Sequence, residues 1–118
     1  MNELETWSAE ETAACIRRRE VSAREVLDAA IARAEAAMHL GGVVTPTFER
    51  AREHLSQLGV APFAGVPSFI KDLAQLEGVA ITWGSRGAGQ HIAKRTDPCV
   101  REIEALGFVT LGKSSTPE

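Results

Sequence analysis

The 118-residue sequence contains little that would direct the protein to an oxidising compartment, a membrane or a nucleic acid. Its two cysteines, Cys15 and Cys99, form no paired motif, so we expect both to be reduced in a cytoplasmic protein. The 13 lysines and arginines are outnumbered by 16 aspartates and glutamates, which disfavours nucleic-acid and membrane-surface partners. No apolar run approaches the roughly 18 residues that span a bilayer, and the acidic start shows no secretory signal.

The remaining composition, 44% hydrophobic and 25% charged, is that of a globular domain, and its first half predicts three helices. Ser8 with Glu11, and Ser22 with Glu25, have the spacing of a capping box. The predicted helices run from Ala9 to about Arg19, from Ser22 to about Met38, and from Thr47 to Leu58, with Gly59 closing the last one.

From Pro62 onward the pattern changes to short apolar segments typical of strands. Residues 65–73 and 108–111 are predicted strands, and a glycine-rich loop over residues 78–89 lies between them. A helix capped by Asp97, with Pro98 as its first residue, is predicted to end at Leu106 before Gly107. A strand, a connection containing a helix and a second strand predict a parallel crossover in an α/β sheet.

Two features predict that this chain is the N-terminal part of a larger protein. Two strands cannot form a stable buried parallel sheet. The segment Thr116-Pro117-Glu118 also has the composition of a helix start, with a cap, a proline and an acidic residue in the first turn. We therefore expect the isolated chain to be marginally stable.

Lys71 is the main candidate for chemistry in this sequence. In a strand it would share one face with Phe69 and Leu73, while Ser68, Ile70 and Asp72 occupy the other. Large apolar neighbours would desolvate the amine and favour its neutral form, which can act as a base or a nucleophile. The alternative is a lysine at a strand end that reaches water or pairs with an acid.

The other motifs give weaker signals. Gly107 to Ser114 matches the letters of a phosphate-binding loop, but a predicted helix precedes it and a strand occupies its centre, so a nucleotide site is not expected. The amides of residues 84–89 could hold an anion, although such loops are usually simple turns. The three histidines have no metal-ligand spacing, and Cys99, in a first helical turn, has no evident base nearby.

Several segments together resemble the N-terminal block of the amidase-signature hydrolases. The resemblance covers nearly the whole chain and is strongest from Pro62 onward. Its segments, in chain order, are Ser22–Leu27, Phe63–Pro67, Lys71–Leu73, Gly78 and Thr82 with Gly84-Ser85, Asp97 and Val100, Leu106-Gly107, and Leu111–Glu118. The combination is far more specific than any one of them.

The resemblance implies a fold and a reaction. The fold is α/β: N-terminal helices followed by the first strands of a large mixed sheet covered by helices, incomplete in this chain. Residues 1–61 would form the helical segment and residues 62–118 the start of the α/β core. The family hydrolyses amide bonds with a Ser–cis-Ser–Lys triad in which Lys71 matches the lysine, and Lys71 is the one catalytic residue we assign.

The resemblance also implies what the protein binds. The parent enzyme would act on a small-molecule amide and need no metal or organic cofactor, and its N-terminal helices could support a homodimer. The family's glycine- and serine-rich stretch lies beyond this chain, and Ser114-Ser115 belongs to the block before it. We therefore expect the 118 residues alone to be inactive. The alternative function is a non-catalytic binding or assembly fragment, or a split subunit whose partner supplies the serines.

Overall fold

The structure, a computed structural model, describes residues 6–88 and 91–116. The helices in this part of the chain are α1 (Ala9–Arg17), α2 (Ala23–Ala36), α3 (Phe48–Leu55) and α4 (Pro98–Ala105). The strands are β1 (Val43–Pro46), β2 (Pro67–Lys71), β3 (Ala80–Ile81), β4 (His91–Ile92) and β5 (Val109–Ser114). None of these helices is long and apolar enough to cross a membrane.

The first two helices begin where the capping residues predict. The Ser8 hydroxyl accepts a hydrogen bond from the Glu11 amide, and Ser22 and Glu25 form the complete reciprocal capping box. Both helices end slightly earlier than predicted, α1 at Arg17 and α2 at Ala36.

The predicted end of the third helix is wrong. Helix α3 ends at Leu55, and Gly59 does not adopt the left-handed conformation of a helix-terminating glycine. The Ser56 hydroxyl instead donates to the Glu53 carbonyl at 2.7 Å, and the Gln57 amide donates to the His54 carbonyl at 2.9 Å. These tight turns satisfy the last carbonyls and stop the helix before Gly59.

The main sheet has the order β1-β5-β2. Strands β2 and β5 are parallel and connected through α4, which confirms the predicted crossover. Strand β1 pairs antiparallel with the other edge of β5, so the sheet is mixed. No strand was predicted at Val43–Pro46. This segment comes from the half of the chain predicted to be helical and joins the sheet through a partner far along the sequence.

Helices cover both faces of the sheet. On one face Leu27 and Ile31 of α2 and Ala51 of α3 pack on Val109 and Leu111 of β5. On the other, Ile70 of β2 packs with Leu76 and Val100. The predicted α/β class, with a partial mixed sheet covered by helices, is therefore confirmed. The division into residues 1–61 and 62–118 stays a prediction.

Gly107 makes the turn between α4 and β5. Its φ is +105°, and a Cβ added there would lie 2.5 Å from the backbone nitrogen of Ala64. The Phe63 and Gly65 amides bond to the Leu106 and Gly107 carbonyls at 2.8 and 3.1 Å, so the two backbone segments are in direct contact. Only glycine fits both the dihedral angle and the contact.

We predict that Gly107→Ala lowers the free energy of unfolding by about 2 kcal/mol or more, because a side chain would have both a strained backbone and a steric clash. Gly59→Ala is the matched control: nothing lies within 4 Å of its added Cβ. Its effect should stay within about 0.5 kcal/mol. Urea unfolding measures the free energy of unfolding of each variant. Equal values for Gly107→Ala and Gly59→Ala would contradict this account of the turn.

A partly buried ion pair joins α3 to α4 and β5. The two terminal guanidinium nitrogens of Arg50, Nη1 and Nη2, donate to the Glu104 carboxylate at 2.7 and 3.0 Å, and the Thr110 hydroxyl donates to it at 2.8 Å. Burial acts to raise the pKa of Glu104, but the hydrogen bonds from Arg50 and Thr110 outweigh it and hold this pKa below the usual 4.5. The carboxylate form is therefore the one that stabilises the fold.

The lowered pKa of Glu104 predicts a pH dependence of stability. A carboxyl with a lowered folded-state pKa stabilises the protein above its unfolded-state pKa, and this stabilisation is lost as pH falls through the folded-state value. We therefore expect the Tm advantage of wild type over Glu104→Gln to narrow as pH falls below 4.5. Thermal melts at several pH values measure it, with exposed Glu102→Gln as the control. An advantage that does not change with pH would contradict the assignment.

Candidate active site

Lys71 is the last residue of β2. It lies on the sheet face on which α2 and α3 pack, at an end of that face that is open to solvent (the open face). Phe69 and Leu73, which flank it on this face, are 38% and 53% exposed, whereas Ile70 and Asp72 on the opposite face are 5% and 0% exposed. The predicted alternation is confirmed, but the expected desolvation of Lys71 is wrong for the described residues. Lys71 is exposed because the apolar neighbours on its face are themselves open to solvent.

The opposite face of the same strand end holds a buried ion pair that was not predicted. The Lys113 ammonium of β5 lies 3.2 Å from the Asp72 carboxylate, and both side chains are 0% exposed. The Thr82 hydroxyl and amide also donate to this carboxylate, the amide at 3.2 and 3.3 Å. Asp72 therefore connects β2, β5 and the segment that follows β3.

The strand pairing explains why the two lysines point to opposite faces. Ile70 pairs with Lys113, and Lys71 pairs with Ser114. Neighbours on adjacent strands project to the same face, so Lys113 lies with Ile70 and Asp72 on the buried side. The ladder continues one residue further, because the Asp72 amide donates to the Ser114 carbonyl at 2.9 Å.

A cavity of about 330 Å³ opens beyond the carboxyl ends of these strands. Such edges are the usual ligand-binding positions of α/β sheets. Val44, Thr82, Ser85, Arg86, Ser115 and Thr116 contribute to its wall. The hydroxyl side chains of Thr82, Ser85, Ser115 and Thr116 therefore lie together at this edge of the sheet.

Three amides of the glycine-rich loop are bonded within the loop and do not point to a ligand. The Gly84 amide donates to the Thr82 hydroxyl at 3.2 Å and the Ser85 amide to the Thr82 carbonyl at 2.9 Å. The Gly87 amide donates to the Ser85 hydroxyl at 3.1 Å. These three amides are satisfied within the loop, so it is a turn; Gly89 lies outside the described residues.

The resemblance to a phosphate-binding loop is accidental. Gly107 ends α4, residues 109–114 form β5, and the Lys113 ammonium is buried on Asp72. No helix follows Lys113 within the described residues, and Pro117 and Glu118, predicted to begin one, lie outside them. Residues 107–114 therefore form a helix end and a strand, the alternative to a phosphate-binding loop that the sequence context predicts.

The histidines and cysteines lie apart from one another in the described part of the chain. No group of histidine, cysteine or acidic side chains in residues 6–88 and 91–116 could hold a metal ion. His91 contacts the Trp83 ring, with ring centres 5.5 Å apart. Cys15 is buried and Cys99 exposed, and both are free thiols.

The comparisons with known proteins agree on one family. A family model described as Amidase matches residues 25–118. A 6-aminohexanoate-cyclic-dimer hydrolase from Paenarthrobacter ureafaciens is 37% identical over 100% of this chain, which corresponds to 25% of that protein. The chain thus spans about a quarter of the length of this relative.

Solved structures give the same result. The structure of a 6-aminohexanoate cyclic dimer hydrolase matches 95% of this chain and 24% of its own, with a TM-score of 0.85 and 36% identity. A bacterial aryl acylamidase of the amidase-signature family matches 94% of this chain and 25% of its own, with a TM-score of 0.81 and 26% identity. With the family match over residues 25–118, these likenesses show that the chain belongs to the amidase-signature family.

Proposed function

We propose that this chain carries the base of an enzyme that hydrolyses the carbon–nitrogen bond of a small carboxamide. The family match over residues 25–118 is the observation that carries the proposal. Relatives in that family are named as hydrolases or amidases of amide compounds. Lys71 occupies the position that resembles the family's lysine, at the carboxyl end of β2.

In the proposed reaction, neutral Lys71 accepts a proton through a bridging cis serine from the nucleophilic serine. That serine attacks the amide carbonyl, and backbone amides stabilise the oxyanion. The carbon–nitrogen bond then breaks, and the amine leaves with the proton. Water, activated by the same relay, hydrolyses the acyl-serine and releases the acid.

The environment of Lys71 supports this role in one respect. The adjacent carboxylate, Asp72, lies on the other face and is bound by Lys113 and Thr82. Asp72 therefore does not hold Lys71 in an ion pair that would keep it protonated. Covering the open face with further protein would exclude water from Lys71 and favour the neutral amine that the reaction needs.

The two serines are proposed to lie outside these 118 residues. Ser114 belongs to β5 and pairs with Lys71 across the ladder, and the Ser115 amide donates to the Gly42 carbonyl at 2.9 Å. Neither lies in a glycine- and serine-rich segment of the family's kind. The remaining residues could come from the same chain or from a partner.

The same open face favours a second candidate function, a non-catalytic assembly fragment. Phe69 and Leu73 are exposed apolar side chains beside β2, which is an edge strand of the sheet that the described residues form. Exposed apolar surface at a strand edge is typical of a docking site. An assay of amide hydrolysis separates the two candidate functions, because a non-catalytic assembly fragment does not use Lys71 as a base.

We predict that Lys71→Ala lowers kcat by about a thousandfold or more, because the nucleophile loses its base. The assay uses the protein expressed from its complete native reading frame and a panel of linear and cyclic small carboxamides. Lys71→Arg should be equally inactive, since a guanidinium does not deprotonate.

Lys94→Ala is the matched control for this test, because Lys94 is exposed and has no part in the site. It should retain wild-type activity. A Lys71→Ala enzyme with more than about a tenth of wild-type kcat would overturn the proposal. Wild-type protein that folds but hydrolyses none of the amides would favour the assembly fragment.

A further inference from the structure

The pairing between β2 and β5 shifts by one residue just before Lys71. Ser68 pairs with Thr110, but Phe69 pairs with Gly112, which leaves Leu111 without a partner on β2. A one-residue shift changes which side chains become neighbours on each face of a sheet. This irregularity therefore decides where the two lysines lie relative to one another.

Continuing the pairing without the shift gives a different set of neighbours. Phe69 would then pair with Leu111, Ile70 with Gly112, and Lys71 with Lys113. Two ammonium groups would share the open face, where like charges side by side are unfavourable. Asp72 would remain on the buried face without its cation, which is costly for a buried charge.

We infer that Asp72 and Lys113 are positioning residues, whose buried ion pair holds β5 in the shifted register and leaves Lys71 alone on the open face. This inference rests on the proposed function of Lys71. The geometry that carries it is the 3.2 Å contact between the two charges, their complete burial, and the register shift two residues before Lys71. Thr82 completes the site, because its amide and hydroxyl hold the Asp72 carboxylate on the buried face.

General energetics supports a positioning role over simple stabilisation. A buried ion pair often contributes little net stability compared with apolar side chains of similar size, because both charges lose their hydration. Its best-attested use is to select one register among several. Breaking one partner is costly, however, because the other charge is left buried and unpaired.

The test is the register of the ladder in Asp72→Asn, read by NMR from cross-strand backbone contacts. Asparagine keeps the size of the side chain and the bonds from Thr82 but leaves the Lys113 ammonium uncompensated. We expect this variant to populate the unshifted register, with contacts between Lys71 and Lys113 in place of those between Ile70 and Lys113. Unchanged contacts between Ile70 and Lys113 would overturn the inference.

Two further variants separate positioning from general stability. Asp72→Glu keeps the charge and should keep the shifted register. Glu104→Gln breaks the partly buried ion pair between Arg50 of α3 and Glu104 of α4, and should also keep the shifted register. If both charge-breaking variants, Asp72→Asn and Glu104→Gln, altered the ladder alike, the effect would be general destabilisation and the inference would fail.

A double variant covers the case in which Asp72→Asn does not fold. Asp72→Leu with Lys113→Met removes both charges, and replacing a buried ion pair by apolar side chains usually preserves folding. Without the charges, both registers should be populated and the amide signals of residues 69–72 should double. A single set of signals with the shifted register would overturn the inference.

Activity connects the register to the proposed function. In the protein from the complete reading frame, Asp72→Asn should lower kcat by about tenfold or more with KM changed by less than about threefold, because Lys71 is misplaced while the rest of the substrate site remains. An unchanged kcat would contradict the positioning role. If Lys71→Ala leaves hydrolysis unchanged, the proposed function fails while the register result stands. If Lys71→Ala abolishes hydrolysis but Asp72→Asn keeps the shifted register, only this inference fails.

Discussion

Two opposite charges lie fully buried between β2 and β5, and much of the arrangement of this chain depends on their contact. Asp72 ends the hydrogen-bonded ladder of β2, and Lys113 lies near the end of β5. Their pairing, together with the bonds from Thr82, ties the two parallel strands to the segment that follows β3. It also fixes which face of the sheet each neighbouring residue occupies.

The ion pair between Asp72 and Lys113 leaves Lys71 on the open face. Lys71 is one residue from a buried carboxylate, yet the carboxylate is bound by other groups on the opposite side of the strand. The chain thus presents a lysine that is close to an acid in sequence and separated from it in space. For the proposed function, this separation means that Asp72 does not hold the Lys71 amine in an ion pair.

Capping residues and the order of apolar segments predicted the helix starts and the parallel strand pair, because these features depend on residues close together in the sequence. The capping box at Ser22 and Glu25 located the start of α2, and the strand-helix-strand pattern predicted the parallel pair. Strand β1 could not be found in this way, because Val43–Pro46 is short, contains a proline and becomes a strand only against β5. The end of α3 depended on hydrogen bonds from Ser56 and Gln57 that compete with a simple glycine signal.

The local geometry around Lys71 was predicted in part, and its catalytic role stays a prediction. The alternation along β2 predicted the face on which Lys71 lies. The burial of Lys71 depends on which residues cover that face, and the residues next to it in the sequence do not show this. Asp72 and Lys113 are 41 residues apart. The available signal was the position of Asp72 beside Ile70 on the buried face, where a carboxylate needs a partner. The register shift that brings Lys113 to it has no signature in the sequence.

The most direct test of the central claim is the reactivity of the three lysines towards an amine-acylating reagent, resolved by residue with mass spectrometry. Lys94 is exposed and serves as the internal reference. We predict that Lys71 reacts at a rate comparable to that of Lys94. Lys113 should react at least about tenfold more slowly, because the reagent reaches its buried amine only when the surrounding structure unfolds locally. Equal reactivity of Lys113 and Lys94 would show that Lys113 is not held on the buried face, and would contradict the account.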